Sequence, residues 1–404
     1  MEYPSIPGTT SLPYDPLPPI SLTDLPPTLT SPDLPNPNSK SIFAFWKTGI
    51  ATLPPYLLRN VLNWHRRYAP LGWQIYVVDT VPDSPLHISH FIDTTSPSVV
   101  PEAFRNGTLD GDYVAQHTSD LVRFPLLLRH GGLYMDVGIL HFGDIDSLWT
   151  QRIANPSSPY DFAGVTMGDY PEISAVNFWL MSGPQNPLIA RAHHILLKLW
   201  EGKTNTKGAS GHPLVSHLPL MRVPQEVTVE EEGKEKMIID DAAMTDYAVQ
   251  IQCLGAAQRW LDEEGGWDGP RYMREKCWFY SMIEHTYVHE QMTSWTSKKQ
   301  HELFSLALPG DGEEESEDQL LARRIVEKVV GESWCIKLGH GFAAKLFGAD
   351  TLGMLWKKHD GTDCKEGTYG GWLRWAEVNC KQDSAPKPLD IPSYEPTIKA
   401  RLIL

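Results

Sequence analysis

The clearest hydrophobic signal near the start of the chain is Ile42-Phe43-Ala44-Phe45-Trp46, an apolar run that gives way to Lys47 and Gly49 and has the length of a buried strand. Pro54-Pro55 then opens a segment in which Leu57, Leu58, Val61, Leu62 and Tyr68 recur at helical spacing. Proline is tolerated in that first turn because its missing N–H has no intrahelical partner there. Gly72-Trp73 leads into Gln74-Ile75-Tyr76-Val77-Val78-Asp79, a second β-rich run ending in an acid. Strand, helix and strand in fewer than 40 residues predict a βαβ unit, and with it a parallel sheet carrying helices on its faces.

Residues 80–111 are loop-rich, with prolines at 82, 85, 97 and 101, and are placed to cover one end of that sheet, where α/β proteins bind ligands. Residues 119–130 read as a helix that Thr118 or Ser119 can cap and Gly131-Gly132 stops, while Arg129 and His130 suit its C-terminal dipole. Pro125 inside it predicts a kink or a later start. Residues 133–140 follow as an apolar strand interrupted by Asp136 and Gly138. An ionised carboxylate in a buried strand is costly unless something pairs it, which makes Asp136 the leading candidate for chemistry. Further on, residues 188–200 and 241–262 carry amphipathic helical spacing, and the acidic clusters at 230–232 and 311–318 read as solvated loops.

Composition changes this picture at the N-terminus. Eleven of the 33 prolines fall in the first 40 residues, a density that excludes helix and sheet interior and predicts an extended or disordered arm over 1–40. The arm has no uninterrupted apolar stretch, and no run of about 18 apolar residues occurs elsewhere. The expectation is therefore a cytoplasmic protein with no signal peptide and no membrane insertion. Thirty-five Lys plus Arg against 50 Asp plus Glu give a net charge of −15, which argues against general nucleic-acid binding and requires a local basic pocket for any anionic ligand. Cys253, Cys277, Cys335, Cys364 and Cys380 are odd in number and lack CxxC spacing, so reduced thiols are expected instead of a disulfide frame or zinc site.

Three stretches hold the candidate chemistry: the strand ending at Trp46, Ser119-Asp120-Leu121-Val122-Arg123, and Gly131-Gly132-Leu133-Tyr134-Met135-Asp136. Carboxylates at a strand end offer hard oxygen ligands to Mg²⁺ or Mn²⁺. Arg123 can reach a phosphate or orient Asp120 one helical turn away, Asp120 can bind a sugar or ribose hydroxyl, and Trp46 offers a ring for stacking. Gly131-Gly132 permits a tight turn and close approach of a ligand to the backbone.

In this order, and with Asp120 and Asp136 16 residues apart, these stretches resemble the glycosyltransferases of the capsular-polysaccharide-synthesis type. More distantly they are similar to the DXD-containing sugar-binding family. The likeness covers residues 42–186 and includes Ala175-Val176-Asn177-Phe178 and Ser182-Gly183-Pro184-Gln185-Asn186-Pro187. It implies an α/β fold of GT-A-like type, a single large domain with a mainly parallel central sheet flanked by helices. The nucleotide-sugar-binding core is placed at 41–225, and 226–404 form a mostly helical C-terminal part with acidic loops. The activity implied is transfer of a sugar from a nucleotide-sugar donor to an acceptor hydroxyl. Asp136 is then the catalytic residue, anchoring the donor or its metal, and Trp46, Asp120, Arg123, Tyr134, Asp136 and Lys345 bind the donor.

A divalent cation, Mn²⁺ or Mg²⁺, on Asp136 also comes with the resemblance, yet Gly138 stands where the second DXD acid belongs, and one carboxylate holds such an ion weakly. Two stretches offer a replacement. Asp144-Ile145-Asp146 is a literal DXD that reads better as a helix cap. Leu338-Gly339-His340-Gly341 with Lys345 is similar to the His-Gly-Lys pattern with which another glycosyltransferase family completes its metal and diphosphate site. His193-His194 point two ways on a helix and do not share a metal. Two alternatives stay open: the same scaffold holding a nucleotide sugar without turning it over, and a transferase adapted to another donor.

Overall fold

The computed structural model describes residues 3–13, 25–37, 39–168, 174–222, 240–310 and 312–402. The predicted βαβ unit is present as β1 (Ser41–Phe45), α1 (Pro55–Tyr68) and β2 (Gln74–Val78), with β1 and β2 parallel. α2 (Val114–His130) starts ahead of the predicted position, at Val114, and continues through Pro125. Gly131, at φ 69°, ends it. Gly132, at φ 94°, begins β3 (Gly132–Met135), and a Cβ there would run into the Ser41 carbonyl of β1, so only glycine lets the two strands lie side by side.

Residues 133–140 are not one strand. β3 ends at Met135, residues 136–138 leave the sheet, and β4 (Ile139–His141) belongs to a separate ladder. Asp136 therefore sits at a strand end, where its carboxylate meets a cleft and not a strand interior. β5 (Phe162–Met167) and β6 (Ser174–Ser182) follow, then α3 (Pro187–Leu199) and α4 (Val249–Gln258). The single helix expected over 241–262 is broken at Ala248 and ends in a short strand, Trp260–Asp262. β7 (Cys277–Ser281), α5 (Glu317–Glu332), β8 (Cys335–Lys337), α6 (Gly341–Phe347) and α7 (Tyr369–Asn379) complete the elements that bear on the site.

The central sheet has the order β7-β5-β6-β3-β1-β2. It is mixed: β7/β5, β3/β1 and β1/β2 are parallel, whereas β6 runs antiparallel to both β5 and β3. The expectation of a mainly parallel sheet is corrected to that extent, because residues 168–173 between β5 and β6 are too few for the crossover a parallel return requires. β4 and β8 form an antiparallel pair, with Lys337 opposite Ile139. That pairing carries a segment from late in the chain to the end of β3.

The described residues of the proline-rich arm are docked. Thr9–Ser11 pair antiparallel with Cys380–Gln382, and Pro27–Thr30 form one helical turn with Pro27 in the permitted first position. Ile6 and Leu29 are buried, and the Trp372 indole donates to the Pro4 carbonyl at 3.1 Å. Proline density rules out long elements but not docking. Residues 14–24, the acidic cluster at 230–232 and Asp311 lie outside the described residues. All five cysteines are free thiols. Among the described residues no helix is long and apolar enough to cross a membrane.

Two polar anchors position the parts around the site. The first is a buried ionic network between α1 and the C-terminal region. Asp363 accepts from Arg59 Nε at 2.9 Å and from Arg374 Nε at 3.0 Å, and Arg374 also donates to the Asn60 side-chain carbonyl. Asn60 in turn donates to the Val137 carbonyl at 2.8 Å, next to Asp136. The second anchor is His193 of α3, whose Nε2 donates to the Val99 carbonyl at 2.9 Å and pins the loop-rich segment. Burial pushes the His193 pKa down to about 4, against the weaker opposing effect of that hydrogen bond. Folded His193 thus stays neutral while the unfolded chain takes up a proton near pH 6.5, so its contribution is complete above pH 6.5 and shrinks as pH falls toward 4. Relative to His193→Gln, the wild type is expected to lose unfolding free energy steadily between pH 6.5 and 4 in urea titrations; a difference independent of pH contradicts the assignment.

Candidate active site

A cleft of about 430 Å³ opens at the C-terminal ends of β1 and β3. Trp46, which follows β1, and Asp136, which follows β3, line it, as do Asp120 and Arg123 from α2 and His340 at the start of α6. Five residues singled out from the sequence therefore converge on one cavity. Trp46 is partly buried, with its indole N–H donating to Thr52 Oγ1 at 3.0 Å, so its ring orientation is fixed.

Arg123 organises the floor. Its side chain is 4% exposed and its Nη2 lies 2.9 Å from Asp120 Oδ1 and 3.6 Å from Asp136 Oδ1. The same nitrogen donates to Ser119 Oγ at 3.0 Å, and Nη1 donates to the Asn177 carbonyl. The guanidinium carbon is 4.7 Å from the centre of the Tyr134 ring, a cation–π contact. Tyr134 does not line the cleft; it lies beneath Arg123, with its hydroxyl 2.7 Å from Ser119 Oγ. Asn177 fixes Asp120 from the other side, donating to Oδ1 at 3.1 Å and to Gln250 Oε1 at 3.0 Å.

The cation nearest Asp136 is Lys337, from β8. Its Nζ donates to Asp136 Oδ2 at 2.8 Å. Burial pushes the Asp136 carboxyl up, but the charge and hydrogen bond of Lys337, with the charge of Arg123, outweigh it and hold the pKa below the usual carboxylate value. Asp120 lacks that lysine. Burial pushes it up to about 7; Arg123 opposes this, and the Asp136 charge adds to it. Burial and the Lys337 charge bring His340 down to about 4, so its imidazole is neutral. Because Nδ1 faces the Leu338 carbonyl at 3.1 Å it carries the proton, which leaves Nε2 a bare acceptor with no partner among the described residues.

Lys345 is not placed at the site: its Nζ lies 5.5 Å from the centre of the Tyr113 ring, and it does not line the cleft. Asp144 and Asp146 are structural, as a cap and an ion pair. Asp144 accepts from Ser147 N, and Asp146 meets Lys40 Nζ at 2.6 Å and the Trp73 indole N–H at 2.9 Å. The sequence reading missed Lys337, Asn177 and Tyr247. Tyr247 stacks on Phe342 with ring centres 3.7 Å apart and forms an aromatic wall of the cleft. Asn177 sits in a stretch already noted for its resemblance, whereas Lys337 carries no local signal, being 201 residues from its partner.

One carboxylate held by two cations in an aromatic-walled cleft at the strand ends suits a ligand that is both anionic and rich in hydroxyl groups. That is the ligand chemistry of a transferase acting on activated sugars. Residues 29–207 match the domain family described as capsular polysaccharide synthesis protein. O-glycosyltransferase braB of Annulohypoxylon truncatum is 32% identical over 356 residues, covering 87% of this chain and 82% of its own. Glycosyltransferase afumC of Aspergillus fumigatus is 33% identical over 362 residues, 89% of each chain, and O-glycosyltransferase PaGT of Phomopsis amygdali 29% identical over 387 residues, 95% and 92% of the two. The chain belongs to this glycosyltransferase family and is a glycosyltransferase.

Proposed function

We propose that the cleft binds a nucleotide sugar within a GT-A-like domain, with 41–225 as its core and 226–404 as part of the same domain, and transfers the sugar to an acceptor hydroxyl. The observation that carries this reading is the Asp136 carboxylate at the end of β3, paired on one oxygen with Lys337 and faced on the other by Arg123. In this reading Asp136 orients the donor, Asp120 accepts from a sugar or ribose hydroxyl, and Trp46 stacks on the base or the sugar ring. Arg123 carries positive charge toward the diphosphate, and Tyr134 backs its guanidinium. The two relatives named O-glycosyltransferases support a hydroxyl as the acceptor. A cytoplasmic setting, expected from composition, belongs to the same proposal.

The test is thermal shift against UDP, GDP and CMP nucleotides and their sugars. One nucleotide class is expected to raise Tm by about 2–4 °C at ~100 times its Kd. Stabilisation by none of them contradicts the nucleotide-sugar reading.

A further inference from the structure

We propose that Lys337 stands in for the divalent cation, so that its ammonium, with Arg123 behind it, meets the departing diphosphate and transfer proceeds without Mn²⁺ or Mg²⁺. This rests on the nucleotide-sugar reading above and adds a catalytic residue to it.

Three observations carry it. The first is the space at residue 138. A Cβ on Gly138 would lie 3.0 Å from His340 Cε1, 3.2 Å from the Leu338 carbonyl oxygen and 3.6 Å from Lys337 Nζ. The β4/β8 pairing, together with the hydrogen bond from Leu338 N to the Gly138 carbonyl at 2.8 Å, presses the Lys337–His340 segment onto this position. A second acid would fit there only if His340 and the Leu338 carbonyl gave way by a few tenths of an ångström, and an ammonium sits beside the place it would occupy.

The second is that both oxygens of Asp136 already face protein cations, Lys337 at 2.8 Å and Arg123 at 3.6 Å. A divalent ion arriving at this carboxylate meets an ammonium at contact distance and is repelled by it. Mg²⁺ and Mn²⁺ favour about six oxygen ligands, and the neutral His340 imidazole adds only a nitrogen. Among the described residues no three His, Cys, Asp or Glu side chains form a metal-binding group. The residues present do not fit the ion.

The third is that Lys337 is built in. It ends a strand, its side chain is 17% exposed, and its Nζ lies 5.7 Å from the centre of the Phe178 ring, so the charge is held in place before a donor arrives. In the transfer the bond between the anomeric carbon and the diphosphate oxygen breaks, and its electron pair stays on that oxygen. The acceptor oxygen bonds the anomeric carbon, and the hydroxyl proton is released to solvent. The developing negative charge on the diphosphate is what Lys337 and Arg123 offset.

The experiment measures release of nucleoside diphosphate from a panel of UDP- and GDP-sugars by the full chain, with millimolar EDTA or with millimolar MnCl₂. The expected result is a rate within about twofold in the two conditions; a loss of about tenfold or more in EDTA that Mn²⁺ restores overturns the proposal. No release from any donor in either condition overturns the nucleotide-sugar reading itself. Calorimetry with Lys337→Met supplies a readout of charge. UDP or GDP is expected to bind about 10- to 100-fold more weakly than to the wild type, with uridine or guanosine changed by less than about twofold. Equal weakening of nucleotide and nucleoside, or no weakening, assigns Lys337 a structural role and overturns the proposal.

Discussion

Asp136→Asn is expected to lower kcat/KM for glycosyl transfer by roughly 10²- to 10³-fold, the scale seen when one preorganised electrostatic group is removed from a reacting centre. The substitution keeps the shape of the side chain and removes its charge. Lys337 and Arg123 then lose the counter-ion that sets their positions, at 2.8 and 3.6 Å from the carboxylate. Folding is expected to survive, because Lys337 can turn toward solvent and Arg123 keeps Asp120 at 2.9 Å. The measurement is steady-state transfer from the donor that gives the largest thermal shift, with Tm recorded alongside. Transfer at the wild-type rate removes Asp136 from the chemistry.

Asp363→Ala is expected to have the largest effect on stability. Asp363 is fully buried and holds both Arg59 and Arg374, the latter only 2% exposed. Removing the acid leaves buried Arg374 with only the longer 3.4 Å contact to Glu377, and Arg59 with only the exposed Asp360 at 3.0 Å, and breaking a buried pair of this kind costs about 3–5 kcal/mol. Urea unfolding gives the value directly, and a loss below about 1 kcal/mol contradicts the description of the network as buried and coupled. Transfer activity should fall with it at equal folded fraction. The path runs from Arg374 through Asn60 to the Val137 carbonyl, adjacent to Asp136.

What could be read from the sequence, and what could not, divides along local and distant contacts. β1, α1 and β2 have apolar periods complete within each segment, and Gly131-Gly132 marks a turn that only glycine can make so close to Ser41, so these were legible. Trp46 and Asp136 come together because they follow the adjacent strands β1 and β3, and Asp120 and Arg123 reach the same strand ends from the middle of α2. The reversal of β6 was not legible, since an apolar run carries no sign of its direction. Nor was the role of Lys337, which depends on Cys335–Lys337 pairing with Ile139–His141 across about half of the chain. Lys345 was offered with His340 by similarity to a His-Gly-Lys pattern, but α6 carries Lys345 to Tyr113 and leaves only His340 of the pair at the cleft. Gly138 read as a lost acid; its neighbours show a tightly packed position beside the Lys337 ammonium. In the proline-rich arm, what composition did not show is the docking of its described residues through Ile6, Leu29 and a single three-residue pairing, which needs no long element.

The central claim is that the cleft around Asp136 holds the diphosphate of an activated sugar. A crystal structure of the full chain soaked with the nucleoside diphosphate that stabilises it most tests this directly. The account predicts phosphate oxygens within hydrogen-bonding distance of Lys337 Nζ and the Arg123 guanidinium, with the base or ribose beside Trp46. A nucleotide bound anywhere else, with the Asp136–Lys337 pair unchanged and no ligand in the cleft, contradicts it.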